Sequence, residues 1–179
     1  AAGTQHLSLL QRIFGDKSQR LAMRPLYDAI VAAARDPAWY REGAVPDTLD
    51  GRFDMVAALT ALVLLRLEAA GDAGRAPNVW LTEVFVDDMD GTLRQIGIGD
   101  YVVGKHVGKM VGALGGRVSA FRAAGGAAGF AGPVRRNIFH DSPPSEAALE
   151  FVADRLRRFA AGLDSTTLAD LLAGKVPGL

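Results

Sequence analysis

Asp88-Met89-Asp90-Gly91-Thr92 has the spacing of a phosphatase nucleophile loop. In such loops the first aspartate attacks phosphorus and the second, two residues on, donates a proton to the leaving group. Gly99 to Lys105 spells GxxxxGK, the skeleton of a loop whose backbone N–H groups cradle phosphate. Either motif would make the chain a phosphoryl-transfer enzyme working with magnesium, and either needs a particular context. The phosphatase loop requires an apolar strand ahead of it, with a lysine and a second acidic cluster downstream. VWLTEVFV, residues Val79 to Val86, is apolar enough, but Thr82 and Glu83 interrupt it and its spacing fits a period of 3.6 better than 2. The GxxxxGK run lacks its terminal Ser or Thr, since His106 stands there, and no strand precedes Gly99. An EF-hand register places Val86 and Gly97 where acidic ligands belong. A magnesium-dependent phosphohydrolase using Asp88 and Asp90 is therefore the alternative reading, and binding without cofactor or metal is the preferred one.

On helices, the same residues have a simpler use. Glu83, Asp87, Asp90 and Arg94 step by four, three and four and share one face, an acidic ridge that attracts cations. Lys105 and Lys109 are four apart on the next helix, and the Gly97–Gly99 connection predicts an antiparallel hairpin. Gly104, Gly108, Gly112 and Gly116 recur every four residues, each costing ~0.5–1 kcal/mol of helix stability against alanine. Packing against another helix of the same chain is the expected compensation; docking of a partner's helix is the other. His6, His106 and His140 have no metal-ligand spacing and read as solvated or core residues. Ser119 and Ser165 lack a nucleophile context. Trp39 and Tyr40 read as core, and Asp47, Thr48 and Asp50 as helix-capping chemistry.

The elements that hold these residues are helical. Leu7, Leu10 and Phe14 mark a short N-terminal helix, and Pro25 opens another that runs to Asp36-Pro37. The capping loop Val45 to Gly51 feeds an apolar helix from Arg52 to Ala70, closed by Gly71. Pro77 reads as the start of the acidic helix, with Gly97 as its stop, and Asp100 as the cap of a helix from Tyr101 to about Ala123. A Gly/Ala loop follows to Gly132, then a short segment at Arg135 to Phe139. Ser142-Pro143 reads as the start of a helix through Arg158, and Asp164 or Ser165 as the cap of a last one ending at Gly174. No alternating strand or fixed-period repeat is visible. The fold class is all-α, a compact single-domain bundle of about seven or eight helices.

Composition agrees. The 179 residues carry 20 basic and 20 acidic side chains, so no general electrostatic grip on nucleic acid or anionic membrane is indicated. There is no cysteine, which removes disulfides, thiolate metal sites and cysteine nucleophiles. The longest apolar run, Met55 to Leu65, falls well short of the ~20 residues of a bilayer span and reads as a buried core helix. With no secretory signal visible, a soluble protein is expected.

VPDTLDGRFDM (Val45 to Met55), FVDDMDGTLRQIGIGDYVVGKHVGKM (Phe85 to Met110) and Arg136-Asn137-Ile138-Phe139 occur in that order. Leu26-Tyr27-Asp28-Ala29, Ala34-Arg35 and Trp39-Tyr40 precede them. In these blocks the chain resembles the ubiquinol–cytochrome c chaperone family, from about Leu26 to Leu172. It departs from the usual pattern at Gly91, Thr60 and Leu114-Gly115. The resemblance implies an all-helical, non-enzymatic assembly chaperone for respiratory complex III whose client is newly made cytochrome b. The ribosome and the membrane surface are the implied places of work. The N-terminal apolar stripe makes residues 1–20 an expected helix and linker, with 21–179 as the chaperone domain, and the resemblance implies a cytoplasmic protein peripheral to the inner face of the membrane. The partner-binding residues expected on that basis are Asp47, Asp50, Arg52, Phe53, Asp87, Asp90, Arg94, Asp100, Lys105 and Lys109. No catalytic residue is carried over.

Overall fold

The computed structural model describes residues 17–95, 100–125 and 129–179, apart from the side chains of 93, 94, 100–104, 106 and 107. Residues 17–22 are helical, and eight α-helices follow: α1 (Arg24–Ala34), α2 (Ala38–Arg41), α3 (Leu49–Ala69), α4 (Asp72–Gln95), α5 (Asp100–Ala124), α6 (Ala131–Val134), α7 (Glu146–Ser165) and α8 (Leu168–Leu172). A π-helical turn, Arg135–Phe139, continues α6, and no strand occurs among the described residues. The expected N-terminal helix at Leu7 to Phe14 and the Gly97–Gly99 connection lie outside the described residues.

Helix α3 is the axis of the molecule. Thr48 starts it, its hydroxyl accepting the Gly51 N–H at 3.1 Å, and Gly71 ends it with φ 63°. The helix begins at Leu49, before the expected Arg52, because the Thr48 cap fixes its first turn. From Met55 to Leu64 every side chain is buried, the pattern of a helix surrounded on all sides. Helices α1, α4, α5 and α7 and the π turn all pack on it. Each fully buried leucine there contributes ~2 kcal/mol through apolar burial. Helix α1 supplies Leu26, Ile30 and Ala34, and α7 supplies Leu149, Val152, Leu156, Phe159 and Leu163, both at helical spacing.

Helix α4 departs from expectation at its start. It begins at Asp72, and Pro77 lies inside it. Gly74 brings its first turn against the end of α3, where an added Cβ would lie 1.8 Å from the Leu67 carbonyl oxygen. Asn78 then donates its side-chain amide to the Leu64 carbonyl at 3.0 Å. These contacts hold a turn ahead of the proline, which removes one backbone donor close to the helix N-terminus. Similarly, α7 is started by Ser145, which accepts the Ala148 N–H at 3.2 Å, and extends to Ser165. Arg66 of α3 sustains that extension by donating to the Leu163 and Thr166 carbonyls, both at 2.9 Å, a cation at a helix C-terminus. Helix α8 is capped by Thr167, through the Asp170 N–H at 3.1 Å, where Asp164 or Ser165 was expected.

The glycines of α5 also differ from expectation. The buried face of this helix is Leu114, Arg117, Phe121 and Ala124, spaced three, four and three. Gly108, Gly112 and Gly116 are exposed, and an added Cβ at any of them would meet nothing within 4 Å. They make no close packing contact with the described residues.

Candidate functional site

Three segments far apart in sequence converge on one buried carboxylate. Asp54, on the inner face of α3, is 4% exposed and forms an ion pair with Arg117 of α5, itself 3% exposed. Arg117 also donates to the Asn137 carbonyl at 2.7 Å and to the Ala113 carbonyl at 3.0 Å. Its guanidinium lies 5.6 Å from the centre of the Phe53 ring, and Phe53 in turn packs on Phe85 at 6.0 Å. His140, just past the π turn, places Nε2 2.8 Å from the second oxygen of Asp54. Asn137 anchors the same turn by donating its side-chain amide to the Pro133 carbonyl at 2.9 Å.

Burial raises the Asp54 carboxyl above the usual carboxylate range, against the hydrogen bond from His140 and the charge of Arg117. Burial likewise lowers the Arg117 guanidinium, against Asp54. A group this desolvated adds little net stability, yet losing either partner leaves an uncompensated charge inside. The cluster therefore fixes how α3, α5 and the π turn meet. It contains a His–Asp pair but no serine, cysteine or threonine nucleophile, so hydrolytic triad chemistry has no reacting group here.

The DxDGT spacing proves to be helical surface. Asp88 and Asp90 lie within α4, as does the whole run Val79 to Val86, so the strand that a phosphatase loop requires is absent. Asp88 accepts a hydrogen bond from the Tyr27 hydroxyl at 2.8 Å, and burial together with this carboxylate pushes the phenol well above its ordinary range. The aspartate thus ties α4 to α1. Residues 100 to 105 of the GxxxxGK run are helix, not a phosphate-wrapping loop. Among the described residues no group of three or more His, Asp or Glu side chains has metal-binding geometry.

The ten expected partner-binding residues are distributed over separate faces. Asp47 and Arg52 form an exposed ion pair at 2.8 Å beside α2, and Asp50 is exposed in the first turn of α3. Phe53 is part of the buried cluster described above. Asp87, with Glu83, receives Arg20 at 3.2 and 3.9 Å, so the acidic ridge finds its cation in the segment preceding α1. Asp90 is half-buried on the same helix. Lys105 and Lys109 are exposed on α5 beside Gly108 and Gly112. The side chains of Arg94 and Asp100 lie outside the described residues.

Sequence reasoning passed over Arg117 and His140 as members of a site. Asp54 lies in the FDM end of the first family block, and His140 directly follows the Arg136–Phe139 block, so their signal was adjacency to the specific motifs. Trp39 is buried as expected, its indole N–H on the Ala33 carbonyl at 2.9 Å and Arg155 stacked 4.6 Å from its ring. Arg155 is held by Asp36 at 3.0 Å.

The described residues thus form an all-helical frame in which the buried Asp54–Arg117 pair joins α3, α5 and the π turn. The family model for the ubiquinol-cytochrome C chaperone matches residues 41–177, and the chain belongs to that family. It is similar to the crystal structure of the Cbp3 homolog from Brucella abortus, at 30% identity over 97% of this chain and 96% of that one, with a TM-score of 0.75. No curated protein matches.

Proposed function

We propose that this protein is a non-enzymatic assembly chaperone that holds newly made cytochrome b while ubiquinol–cytochrome c reductase is built, at the inner face of the cytoplasmic membrane. The observation that carries the reading is the family match across residues 41–177, supported by similarity to the Brucella abortus homologue along nearly the full length of both chains. No described helix is long and apolar enough to cross a membrane, so the chain would meet its client from the bilayer surface.

The outer face of α5 is the client surface that the geometry favours. Gly108, Gly112 and Gly116 leave its backbone uncovered, Val111 is 39% exposed, and Lys105 and Lys109 flank it. Small residues at four-residue spacing let a helix backbone approach closely, which suits an apolar client helix, and the lysines suit acidic or carbonyl-rich loop ends. Asp87 and Asp90 on α4 extend this hairpin. A photo-crosslinker at position 109 or 112, in cells synthesising cytochrome b, should capture that client, and K105E/K109E should weaken capture. Undiminished capture by a folded K105E/K109E variant, or no crosslink from either position, would refute the surface.

A further inference from the structure

We infer that the cleft between the end of α1, α2 and the start of α3 is a binding site for the phosphate of anionic phospholipid headgroups. Its walls are Arg35, Pro37, Tyr40, Arg41, Asp47 and Arg52, around a volume of about 350 Å³. Three arginines thus line the cleft with one aspartate, in a chain whose formal net charge is zero. Asp47 is committed to Arg52 at 2.8 Å. Among the described residues, Arg35 and Arg41 make neither an ion pair nor a side-chain hydrogen bond, although both are exposed and ready to donate. Guanidinium groups recognise phosphate oxygens in bidentate fashion, and Pro37 with the Tyr40 ring offers an apolar wall for what the phosphate is attached to. The ring is held in place, since its hydroxyl donates to the Ala34 carbonyl at 3.0 Å.

A bilayer is favoured over a free anion by what lies one helical turn from the cleft-lining Arg52. Leu49, three residues before Arg52 on the first turn of α3, is 54% exposed. An exposed leucine one turn from a cleft-lining arginine matches the headgroup layer, where charge is met at the phosphates and the apolar side chain enters beneath. The other strongly exposed leucine, Leu21, borders a different cleft, where Arg20 is already bound to Glu83 and Asp87 and Arg24 to Asp28. Both arginines of that cleft are thus held by carboxylates, which leaves Lys17 as its remaining cation. A small free anion on exposed arginines would gain little, whereas a surface of repeated headgroups engages Arg35 and Arg41 at once, with Arg52 held beside them by Asp47.

This inference rests on the chaperone reading for its biological sense, because it sets the protein on the bilayer where its client resides. The decisive measurement is co-sedimentation of the full chain with phosphatidylcholine vesicles, with and without phosphatidylglycerol. Binding should require phosphatidylglycerol and weaken with salt. R35Q/R41Q should lower the affinity about 30-fold, at about 1 kcal/mol per arginine near an anionic surface, and L49A should lower it a few-fold. Both variants leave the buried core untouched, so an unchanged thermal melt serves as the folding control. K105E/K109E should bind vesicles as the native chain does, which separates this site from client capture. Equal binding to pure phosphatidylcholine, or unchanged binding by R35Q/R41Q, would overturn the site. So would full displacement by millimolar inorganic phosphate, which would mark a free-anion site. Absence of vesicle binding with loss of client capture by R35Q/R41Q would assign the cleft to an acidic peptide instead.

Discussion

Arg117 is the side chain on which the most contacts depend, and its charge is what makes it consequential. It reaches from α5 to Asp54 on α3 and to the Asn137 carbonyl on the π turn, while Phe53 covers its face. Arg117→Met keeps the length and apolar stem but strands Asp54, so urea unfolding should show a loss of ~3–5 kcal/mol. His140→Ala should cost ~1 kcal/mol or less, because the imidazole is half in solvent and Asp54 keeps its arginine. Replacing both charges, D54L/R117M, should recover much of the single-variant loss. If R117M alone is nearly neutral, the cluster is not the key between these segments.

At the scale of the helix, the glycines of this chain fall into two groups that a stability measurement separates. Gly108, Gly112 and Gly116 sit in a helix interior with no described atom within 4 Å of an added Cβ, so alanine removes a backbone-entropy cost and meets no neighbour among the described residues. Each substitution should stabilise the fold by ~0.5–1 kcal/mol, and the triple variant should capture less cytochrome b if a client helix uses the face. Gly74 and Gly162 are the opposite case. An added Cβ would lie 1.8 Å from the Leu67 carbonyl at the first and 2.6 Å from Pro177 at the second, so alanine should lower the melting temperature at both. Destabilisation by G112A would show that the α5 face is packed after all.

The same two groups explain what the amino-acid order does and does not reveal. The Thr48 cap and the Gly71 stop are local signals realised where they were read, and the apolar Met55–Leu65 run is buried through Leu64. Pro77 and Ser142-Pro143 misplace helix starts because tertiary contacts at Gly74 and Asn78, and a better cap at Ser145, outweigh a local preference. The glycine stripe reads as internal because nothing local announces that a charged residue, Arg117, turns inward and sends the glycines out. His140 and Asp54 are 86 residues apart, a pairing that no spacing rule encodes.

For the whole molecule, the question is whether the α4–α5 hairpin opens separately from the rest. Helix α3 touches α1, α4, α5, α7 and the π turn, and the Asp54 cluster ties three of these segments at one point. Such connectivity predicts a single cooperative unfolding transition. The two tryptophans report on different regions, since Trp39 lies on α2 under Arg155 of α7 and Trp80 lies on α4. In W80F, the Trp39 fluorescence midpoint in urea should coincide with the helical circular-dichroism midpoint. Leu59→Ala, at a fully buried position on α3, should shift both together by an amount equivalent to ~2–5 kcal/mol. If circular dichroism instead falls in a first step that leaves Trp39 unchanged, part of the bundle unfolds on its own. The proposed α5 face would then belong to a hairpin that opens, and the Asp54 cluster would not hold it to the central helix through the transition.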